Sequence, residues 1–211
     1  MKWLNHFSEL KIPFYLYNLN NNDSIVCSSS INRKKSFIVV HGVMYLVKVF
    51  ANGEMLTLGI FNKGDIISIT DPNKSCYYSI IALRETFILS FTWEDLIYLS
   101  TKKKCSLKEI ACSLKSALHQ YEQMNTILAH KCTRHRIIQL ILFLAREYGQ
   151  ISSDKIKIPF YMSQNTIGTV IGSNTSNVSH IISNLLDMGI LEYTSQKHLY
   201  LKDPFKLSCI K

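Results

Sequence analysis

The sequence predicts an α+β protein: an N-terminal double-stranded β-roll (a jelly roll), one long helix and a C-terminal winged helix-turn-helix. Three patterns predict this order. Short runs rich in Val, Ile, Tyr and Phe fill much of the first half, then apolar residues recur at helical spacing, and the spacing of a helix-turn-helix follows late in the chain. We therefore divide the chain into a β-roll (1–101), a long helix (102–133) and a winged helix-turn-helix (134–211).

Six short segments form the predicted β-roll. Turn signals containing Gly, Asn or Pro separate most of them, and this regular spacing is typical of a sandwich or a small jelly roll. Asn52-Gly53 is the sharpest signal, and because both residues tolerate a positive φ we expect a type I′ hairpin there. Before these segments we expect only a helical turn at Leu4 to Leu10 and a polar turn at Asn18 to Asp23. The predicted strands are Phe37 to His41, Met44 to Phe50, Glu54 to Phe61, Asp65 to Ile69, Tyr77 to Leu83 and Phe87 to Phe91.

Two helices follow these segments. Thr92, with Asp95 three residues later, is the expected N-cap of a short helix, and Ser106 with Glu109 is a capping box for a longer one. Apolar residues in the longer helix alternate spacings of three and four, which is typical of a coiled-coil seam between two chains. The same stripe would also suit a helix packed on its own domain, but about three heptads after a compact β domain favour the two-chain seam. The seam residues are Leu107, Ile110, Leu114, Ala117, Tyr121, Met124 and Leu128.

The spacing of residues 163–186 predicts two helices around a sharp turn. Gly168 leaves room for the second helix to cross close to the first, and Gly172 tolerates the positive φ that the turn needs. Ser163 can cap the first helix, and one of residues 173–176 can cap the second. Any two amphipathic helices with a glycine turn would give a similar pattern, so the flanking elements decide. The predicted shared core is formed by Ile167, Ile171, Val178 and Ile181.

The elements around this motif predict a winged helix. A helix is expected from Arg134 to Tyr148, ending at Gly149, and the apolar alternation of residues 156–160 predicts a short strand. After the second helix of the motif, Ile190 to Tyr193 and His198 to Leu201 predict a two-stranded ribbon. A helix, a helix-turn-helix and a hairpin in this order are the parts of a winged helix.

Short or planar polar side chains lie on the predicted outward face of the second helix. Such groups reach base edges, so we predict a recognition helix that reads double-stranded DNA. Hydroxyl groups and the amides at helix starts also suit phosphate oxygens. The predicted base-reading face comprises Thr175, Ser176, Ser179 and His180. The predicted phosphate contacts are Ser163, Gln164, Asn174, Ser176 and Lys197.

Positive charge is concentrated in the second half of the chain. The net charge is +9, and residues 134–211 carry 9 Lys and Arg against 5 Asp and Glu, whereas residues 1–101 carry 9 against 8. A polyanion-binding surface requires such an excess. The six cysteines are scattered without a C-x-x-C pair, which indicates a reducing compartment. We expect no signal peptide, transit peptide or membrane span, and therefore a protein that works where it is made.

A GDII sequence at residues 64–67 after the Asn-Gly turn, one long helix and a C-terminal winged helix resemble the cyclic-AMP receptor protein and fumarate-nitrate regulator superfamily. The resemblance extends from about Phe37 to Leu207, and residues 120–149 are similar to the global nitrogen-control regulators of cyanobacteria and red-algal plastids. It implies a homodimer that binds palindromic promoter sites, contacts RNA polymerase and activates transcription. It also implies the plastid stroma for an organelle-encoded chain and the bacterial cytoplasm otherwise.

The resemblance implies a small-molecule effector in the β-roll, but key positions differ from the cyclic-AMP receptors. Those receptors have a Gly-Glu pair where this chain has Ser68-Ile69, and no arginine stands between Lys74 and Cys76. Cyclic AMP is therefore not the expected effector.

The nitrogen regulators are the better guide to an effector. Their 2-oxoglutarate site uses two arginines where this chain has Cys76 and Ala117, while Glu122 matches their helix acid. A buried dicarboxylate needs a cation, and Lys74 and Lys115 are weaker substitutes for arginine. The expected effector is 2-oxoglutarate-like, and the candidate effector-binding residues are Ser68, Ile69, Lys74, Cys76 and Glu122.

The recognition helix also departs from the family. Arginines that read guanine in the family align with Thr175 and His180, so the target sequence is expected to differ or to be bound more weakly. Two functions follow. The first is a sequence-specific DNA-binding transcription regulator of nitrogen-control type, and the alternative is an effector-sensing or interaction module that has lost specific base readout.

Enzymatic and metal chemistry are not expected. A metal-dependent jelly-roll enzyme needs several histidines on neighbouring strands, and the predicted strands contain only His41. His130, Cys132 and His135 have metal-ligand side chains, but His130 and His135 lie about 140° apart around a helix. We therefore predict no enzyme, no metal and no resident cofactor.

Overall fold

The computed structural model describes residues 2–28, 35–69, 76–102, 107–152, 155–194 and 198–209. The chain divides into two compact units, residues 1–122 and residues 123–211. The division falls inside the long helix, so each unit includes part of that helix. The division at residues 101 and 133 drawn from the sequence stays a prediction, whereas the predicted α+β fold class is confirmed.

The first unit is a β-roll with helices at both ends of its chain. Its strands pair antiparallel in two four-stranded sheets, of orders β1-β8-β3-β6 and β2-β7-β4-β5. The elements are α1 (Lys2–Leu10), β1 (Tyr15–Leu19), β2 (Ser24–Cys27), β3 (Lys35–His41), β4 (Val43–Phe50), β5 (Met55–Asn62), β6 (Ile66–Ser68), β7 (Cys76–Ala82), β8 (Thr86–Thr92), α2 (Trp93–Lys102) and the first part of α3 (Leu107–Ala129).

The core of the β-roll lies between its two sheets. Alternate residues of each strand face inward, as the period of a pleated strand requires. Opposite pairs of β4 and β7 show the pattern, because Met44 faces Ala82 and Leu46 faces Ile80. Both pairs are buried in the inner cluster. All six predicted strands are present, with ends shifted by one or two residues.

A second apolar cluster covers the outer face of the first sheet. Phe7 and Leu10 of α1 pack with Leu89 and Phe91 of β8 and with Leu96 of α2. The rings of Phe7 and Phe91 meet edge to face at 5.4 Å between centroids. The N-terminal segment, for which only a helical turn and a polar turn were expected, thus begins with a helix that shields one sheet and continues into β1 and β2.

The turn between β4 and β5 differs from the expected type I′ hairpin. Gly53 has a φ of 82°, but Asn52 is not among the residues with positive φ. The amide of Gly53 donates to the carbonyl of Phe50, and the amide of Phe50 donates to the carbonyl of Glu54. This is a three-residue loop in which an ordinary turn ends in a glycine of positive φ. The extra residue, Ala51, removes the need for a positive φ at Asn52.

Part of the apolar stripe of α3 packs on its own β-roll. Ala117 is buried in the inner cluster, and the ring of Tyr121 packs on it, 5.1 Å from the ring of Phe61. The predicted two-chain seam is therefore wrong for these two residues, because it merged two faces of the helix. Leu114 and Leu118 instead remain 40% and 67% exposed. The capping box at Ser106 lies outside the described residues.

The second unit is a winged helix-turn-helix. Its sheet has the order β11-β12-β10-β9, and α4 packs against both α5 and α6. The strand β9 was not expected, and the strand expected at 156–160 is shorter and begins earlier. The elements are the end of α3, α4 (Thr133–Tyr148), β9 (Gln150–Ser152), β10 (Lys155–Lys157), α5 (Gln164–Ile171), α6 (Thr175–Asp187), β11 (Leu191–Tyr193), β12 (Leu199–Leu201) and α7 (Pro204–Ser208).

Among the described residues, no helix has the length and apolar character needed to cross a membrane. Within the same ranges, the cysteines at positions 27, 76, 112, 132 and 209 form no disulfide.

Gly42 and Gly53 provide a matched test of the β-roll. Both have positive φ. A Cβ added to Gly42 would lie 2.5 Å from the Glu85 carbonyl oxygen and closer still to Thr86, whereas a Cβ added to Gly53 would have no neighbouring atom within 4 Å among the described residues. Gly53→Ala should therefore cost only the conformational strain, about 1–2 kcal/mol. Gly42→Ala should cost roughly a further 1–3 kcal/mol from the clash. Urea unfolding of both variants measures the difference, and equal losses would contradict this packing.

Candidate nucleic-acid interface

Two glycines shape the turn between α5 and α6. Gly172 has φ 65° and ψ 48°, the left-handed conformation expected for it. A Cβ on Gly168 would lie 2.7 Å from the carbonyl oxygen of Ser173. The amide of Ser173 donates to the carbonyl of Gly168 over 2.9 Å. A side chain at Gly168 would thus push the turn away from α5.

Side-chain caps fix the start of both helices of the motif. Ser163 Oγ accepts a hydrogen bond from the amide of Thr166 at 3.0 Å, as the sequence predicted. Asn174 Oδ1 accepts from the amide of Asn177 at 2.8 Å, which identifies the cap among residues 173–176. A capped start holds the first turn of a helix in place, with the remaining amides directed outward.

The core of the motif differs from the prediction at one position. Ile167, Ile171 and Val178 are buried as expected, but Ile181 is half-buried and Ile182 is fully buried instead. The buried residues of α6 are Val178, Ile182 and Leu185. Their spacing of four and three keeps a single face of α6 against the domain, so the opposite face is left for contacts with other molecules.

The outward face of α6 carries the predicted base-reading residues. Thr175, Ser176 and His180 are exposed, and Ser179 is half-buried. Two neighbours that the sequence interpretation missed join them. Thr175 Oγ1 donates to Asn165 Oδ1 of α5 at 3.3 Å, and the ring of His180 hydrogen-bonds the Asn184 side chain at 3.3 Å. The spacing of Asn184 four residues after His180 was the available signal.

Gln164, the remaining predicted phosphate contact on α5, is half-buried at the first position of that helix, next to the Ser163 cap. The predicted contact at Lys197 lies outside the described residues. A side-chain link between the two helices is the hydrogen bond from Thr175 of α6 to Asn165, one residue after Gln164.

An arginine of α4 hydrogen-bonds the backbone at the end of α5. Arg136 Nε donates to the carbonyl of His130, just after α3, over 2.7 Å. Its Nη1 donates to the carbonyl of Ile171, the last residue of α5, over 3.0 Å. The last carbonyls of a helix have no partner within the helix. The guanidinium thus connects the chain after α3 with the end of α5.

The wing is braced by an acidic residue between two lysines. Glu192 Oε2 accepts hydrogen bonds from Lys155 Nζ at 2.7 Å and lies 2.9 Å from Lys202 Nζ. Hydrogen bonds from Lys155 and then Lys202 lower the pKa of Glu192 to about 2. The three side chains belong to β11, β10 and the residue after β12, so the cluster ties three strands together.

The predicted effector residues do not all face the same way. Ile69 packs on the inner cluster, but Ser68 is exposed and accepts hydrogen bonds from Ser36 and from Trp93, which covers the outer face. Glu122 is 73% exposed on α3, with His119 at 3.8 Å. Cys76 is buried at the start of β7. Lys74 lies outside the described residues.

A cation that the sequence interpretation missed lies on the inward side of the β-roll. Lys48 stands opposite Tyr78 in the β4–β7 pairing, one inward position beyond Leu46 and Ile80. Its ammonium lies 5.5 Å from the centroid of the Phe50 ring and 5.6 Å from that of Tyr78. The alternation of β4 was the available signal, because it places residues 44, 46, 48 and 50 on one face.

Tyr121 adds a neutral hydroxyl to this inner side. Burial, followed by the nearby Tyr78 and Asp65, raises the pKa of Tyr121 to about 12. The hydroxyl therefore stays protonated at physiological pH and can donate a hydrogen bond.

His130 and His135, the outer residues of the H-x-C-x-x-H sequence, meet edge to face with 6.0 Å between ring centroids. Within the described parts of the chain, no group of three or more His, Cys, Asp or Glu side chains is placed to hold a metal ion.

Comparison with known proteins shows which family the second unit resembles. The model of the Crp-like helix-turn-helix domain matches residues 135–210. The ycf28 protein of Porphyra purpurea, named as an HTH-type transcriptional regulator, is 26% identical over 98% of this chain and 86% of its own length. The global nitrogen regulator of Synechocystis is 23% identical over 83% of this chain and 79% of its own length.

Solved structures share the fold of the whole chain. A mutant of CooA from Carboxydothermus hydrogenoformans has a TM-score of 0.73 at 22% identity, covering 95% of this chain and 88% of its own. FixK2 from Bradyrhizobium japonicum has a TM-score of 0.70 at 17% identity, covering 93% of this chain and 96% of its own.

The β-roll, the Crp-like helix-turn-helix and the outward polar face of α6 define a DNA-binding transcriptional regulator. Residues 135–210 match the Crp-like helix-turn-helix domain, and the chain over most of its length is similar to the ycf28 regulator and to the global nitrogen regulators. These relatives are named as transcriptional regulators.

The pKa of Glu192 gives the wing a specific response to acid. Its value is about 2 in the fold against an ordinary 4.5, so the cluster stabilises the wing above pH 4.5 and this stabilisation is lost as the pH falls towards 2. Carbon-detected NMR titration of the Glu192 carboxyl should give a midpoint well below 4.5. Because the groups are partly exposed, about 1 M salt should move the midpoint back towards the ordinary value. A midpoint of 4.5 at low salt would contradict the cluster.

Proposed function

We propose that this chain is a transcription activator of nitrogen-control type that acts as a homodimer on palindromic promoter sites. The observation that carries the proposal is the capped α6, whose outward face is a continuous polar surface over three helical turns. In a dimer, two such helices would enter successive major grooves about 34 Å apart.

In this proposal base reading and phosphate binding fall to different parts of the motif. Thr175, Ser179 and His180 read base edges, because their short or planar polar groups project from α6. Ser163, Gln164, Asn174 and Ser176 lie at helix starts and hold phosphate oxygens, and Lys197 does so from the wing. The division predicts that affinity and sequence preference respond to different substitutions.

The exposed apolar stripe of α3 supports the homodimer. Ala111, Leu114 and Leu118 are exposed, and they lie within about 60° of one another around the helix. This stripe is turned by about 75° from the face that Ala117 and Tyr121 place on the β-roll. Two copies of α3 paired along the stripe would remove its leucines from water.

For the effector we propose a small dicarboxylate of the 2-oxoglutarate type rather than cyclic AMP. Lys48 supplies the cation on the inward side of the roll, and Tyr78 and Tyr121 supply hydroxyl groups. Ile69 and Cys76 contribute to the wall of this site, while Ser68, Lys74 and Glu122 belong to the site predicted from the sequence. RNA polymerase is the proposed protein partner. The proposed location is the plastid stroma for an organelle-encoded chain and otherwise the bacterial cytoplasm.

A second candidate is a sensing or interaction module that has lost specific base readout. One observation favours it: α6 contains neither lysine nor arginine. Bidentate pairing of arginine with guanine is the commonest specific base contact, and α6 cannot make it. An electrophoretic shift with promoter DNA at several salt concentrations separates the two candidates, because the module would bind all sequences alike.

Thr175→Arg tests the recognition helix. It restores a guanine reader and should favour GTA/TAC-type half-sites by roughly 1–3 kcal/mol at the contacted base pair. Lys197→Ala should instead weaken all sequences alike and lower the salt slope by about one. Competition binding at two salt concentrations measures both effects. Met188→Arg, an exposed position at the far end of α6, is the control for added charge. If Thr175→Arg changed the affinity for every sequence equally, the placement of α6 in the major groove would be wrong.

Leu118→Lys tests the dimer stripe. It places a charge from each chain in an apolar contact, which should cost on the order of several kcal/mol per dimer. Sedimentation at low micromolar concentration should then find monomers. Cys112→Lys puts the same charge on an exposed position of α3 outside the stripe and should leave the dimer intact. A Leu118→Lys protein that stays dimeric would show that the chains pair elsewhere.

A further inference from the structure

The DNA-binding unit contains a cavity that neither the recognition face nor the predicted effector site uses. Its volume is about 410 Å³, and it lies among the end of α3, one face of α4, the strands β10 and β12, and the start of α7. This volume falls within the range of small-molecule sites. Its apolar wall is formed by Ile127, Leu142, Phe143, Ile156 and Leu201.

One edge of the cavity carries a guanidinium group. Arg146 of α4 lines it together with Gln123 of α3. Its Nη2 donates to Gln123 Oε1 at 2.8 Å, and its Nε donates to Glu147 Oε1 at 2.9 Å. A guanidinium has five N–H donors, so these two bonds do not exhaust it. The Arg146 side chain is 57% exposed, so this edge is reached from solvent.

The helix α4 connects the cavity to the helix-turn-helix. Leu142 and Phe143 border the cavity, whereas Leu140, Ile141 and Leu144 face the apolar interior next to Ile167 of α5. The helix also packs directly against α6. A molecule in the cavity would therefore touch the helix that supports both helices of the motif.

We propose that this cavity binds a small amphipathic carboxylate, with an apolar ring or short chain against the aliphatic wall and its carboxylate on Arg146. The chemistry of the site requires both parts. An apolar molecule alone would leave the guanidinium edge unused, and a compact polar anion would leave the apolar wall in contact with water. Occupancy fills the space beside α4 and holds this helix against the motif, which changes the affinity for DNA.

Calorimetry on the full-length protein without DNA tests the binding, with 4-phenylbutyrate as the probe. The expected dissociation constant is on the order of 1 mM, as suits a ligand of this size with one charged contact. The neutral analogue 4-phenylbutyramide should bind at least about tenfold more weakly, because it lacks the charge-assisted pair.

Two variants locate the bound probe. Arg146→Gln should weaken 4-phenylbutyrate about tenfold and leave the amide unchanged. Leu142→Trp fills the cavity and should abolish binding of both molecules. Arg134→Gln removes an arginine from the first turn of the same helix, outside the cavity, and should change neither. Should Leu142→Trp fail to fold, the Arg146→Gln comparison on its own still decides.

Failure to detect binding by the unmodified protein at about ten times the expected constant would overturn the proposal. Equal affinity in Arg146→Gln and the unmodified protein would also overturn it. The effect on DNA, though not the binding itself, rests on the proposed function. A DNA affinity that is measurable but unchanged by saturating 4-phenylbutyrate would overturn that coupling, whereas absence of any DNA binding would overturn the proposed function instead.

Discussion

The position of α6 depends on one guanidinium. Arg136 bonds the carbonyls of His130 and Ile171 at 2.7 and 3.0 Å, and so spans the chain from the end of α3 to the end of α5. Both carbonyls lie at helix C-termini, where the backbone carries partial negative charge, and a cation is favourable there. Since Gly172 turns the chain directly after Ile171, the direction in which α6 leaves α5 is fixed next to this bond. The planar guanidinium supplies donors for both carbonyls and also carries the positive charge that favours them.

Local signals explain why much of the interface was predictable. The Ser163 cap, the tight approach at Gly168 and the left-handed Gly172 each depend on residues only a few positions away, and all three are present as predicted. The six β-segments were recognisable for the same reason, since alternation and turn residues are short-range features. The sequence predicted only that one of four adjacent residues caps α6. All four are good capping residues, so the geometry of the turn decides which of them is the cap.

The parts that sequence patterns missed depend on long-range contacts. The strands β1 and β2 pair with β8 and β7, far along the chain, and their own exposed residues dilute the alternation. On α3, the spacing of three and four residues predicted a single apolar stripe. The helix has two adjacent apolar faces instead, one packed on the β-roll and one exposed. Ala117 meets the roll, while Leu118 is exposed. Lys48 was missed because a lysine in a strand is usually read as a solvated residue. Only the β4–β7 register places it on the inner side.

The unusual chemistry of α6 follows from these constraints. With Arg136 and the buried Ile182 holding the motif, α6 presents hydroxyl, amide and imidazole groups and contributes neither lysine nor arginine. Counterion release then has to come from lysines and arginines outside α6, so affinity is set mainly by the rest of the domain. In the proposed function, sequence preference rests on short side chains such as Thr175, whose single hydrogen bonds discriminate less between bases than a bidentate arginine does. The sequence specificity of such a helix depends on its fixed position. A molecule that moves α4 would change that position directly, because α4 packs against α6.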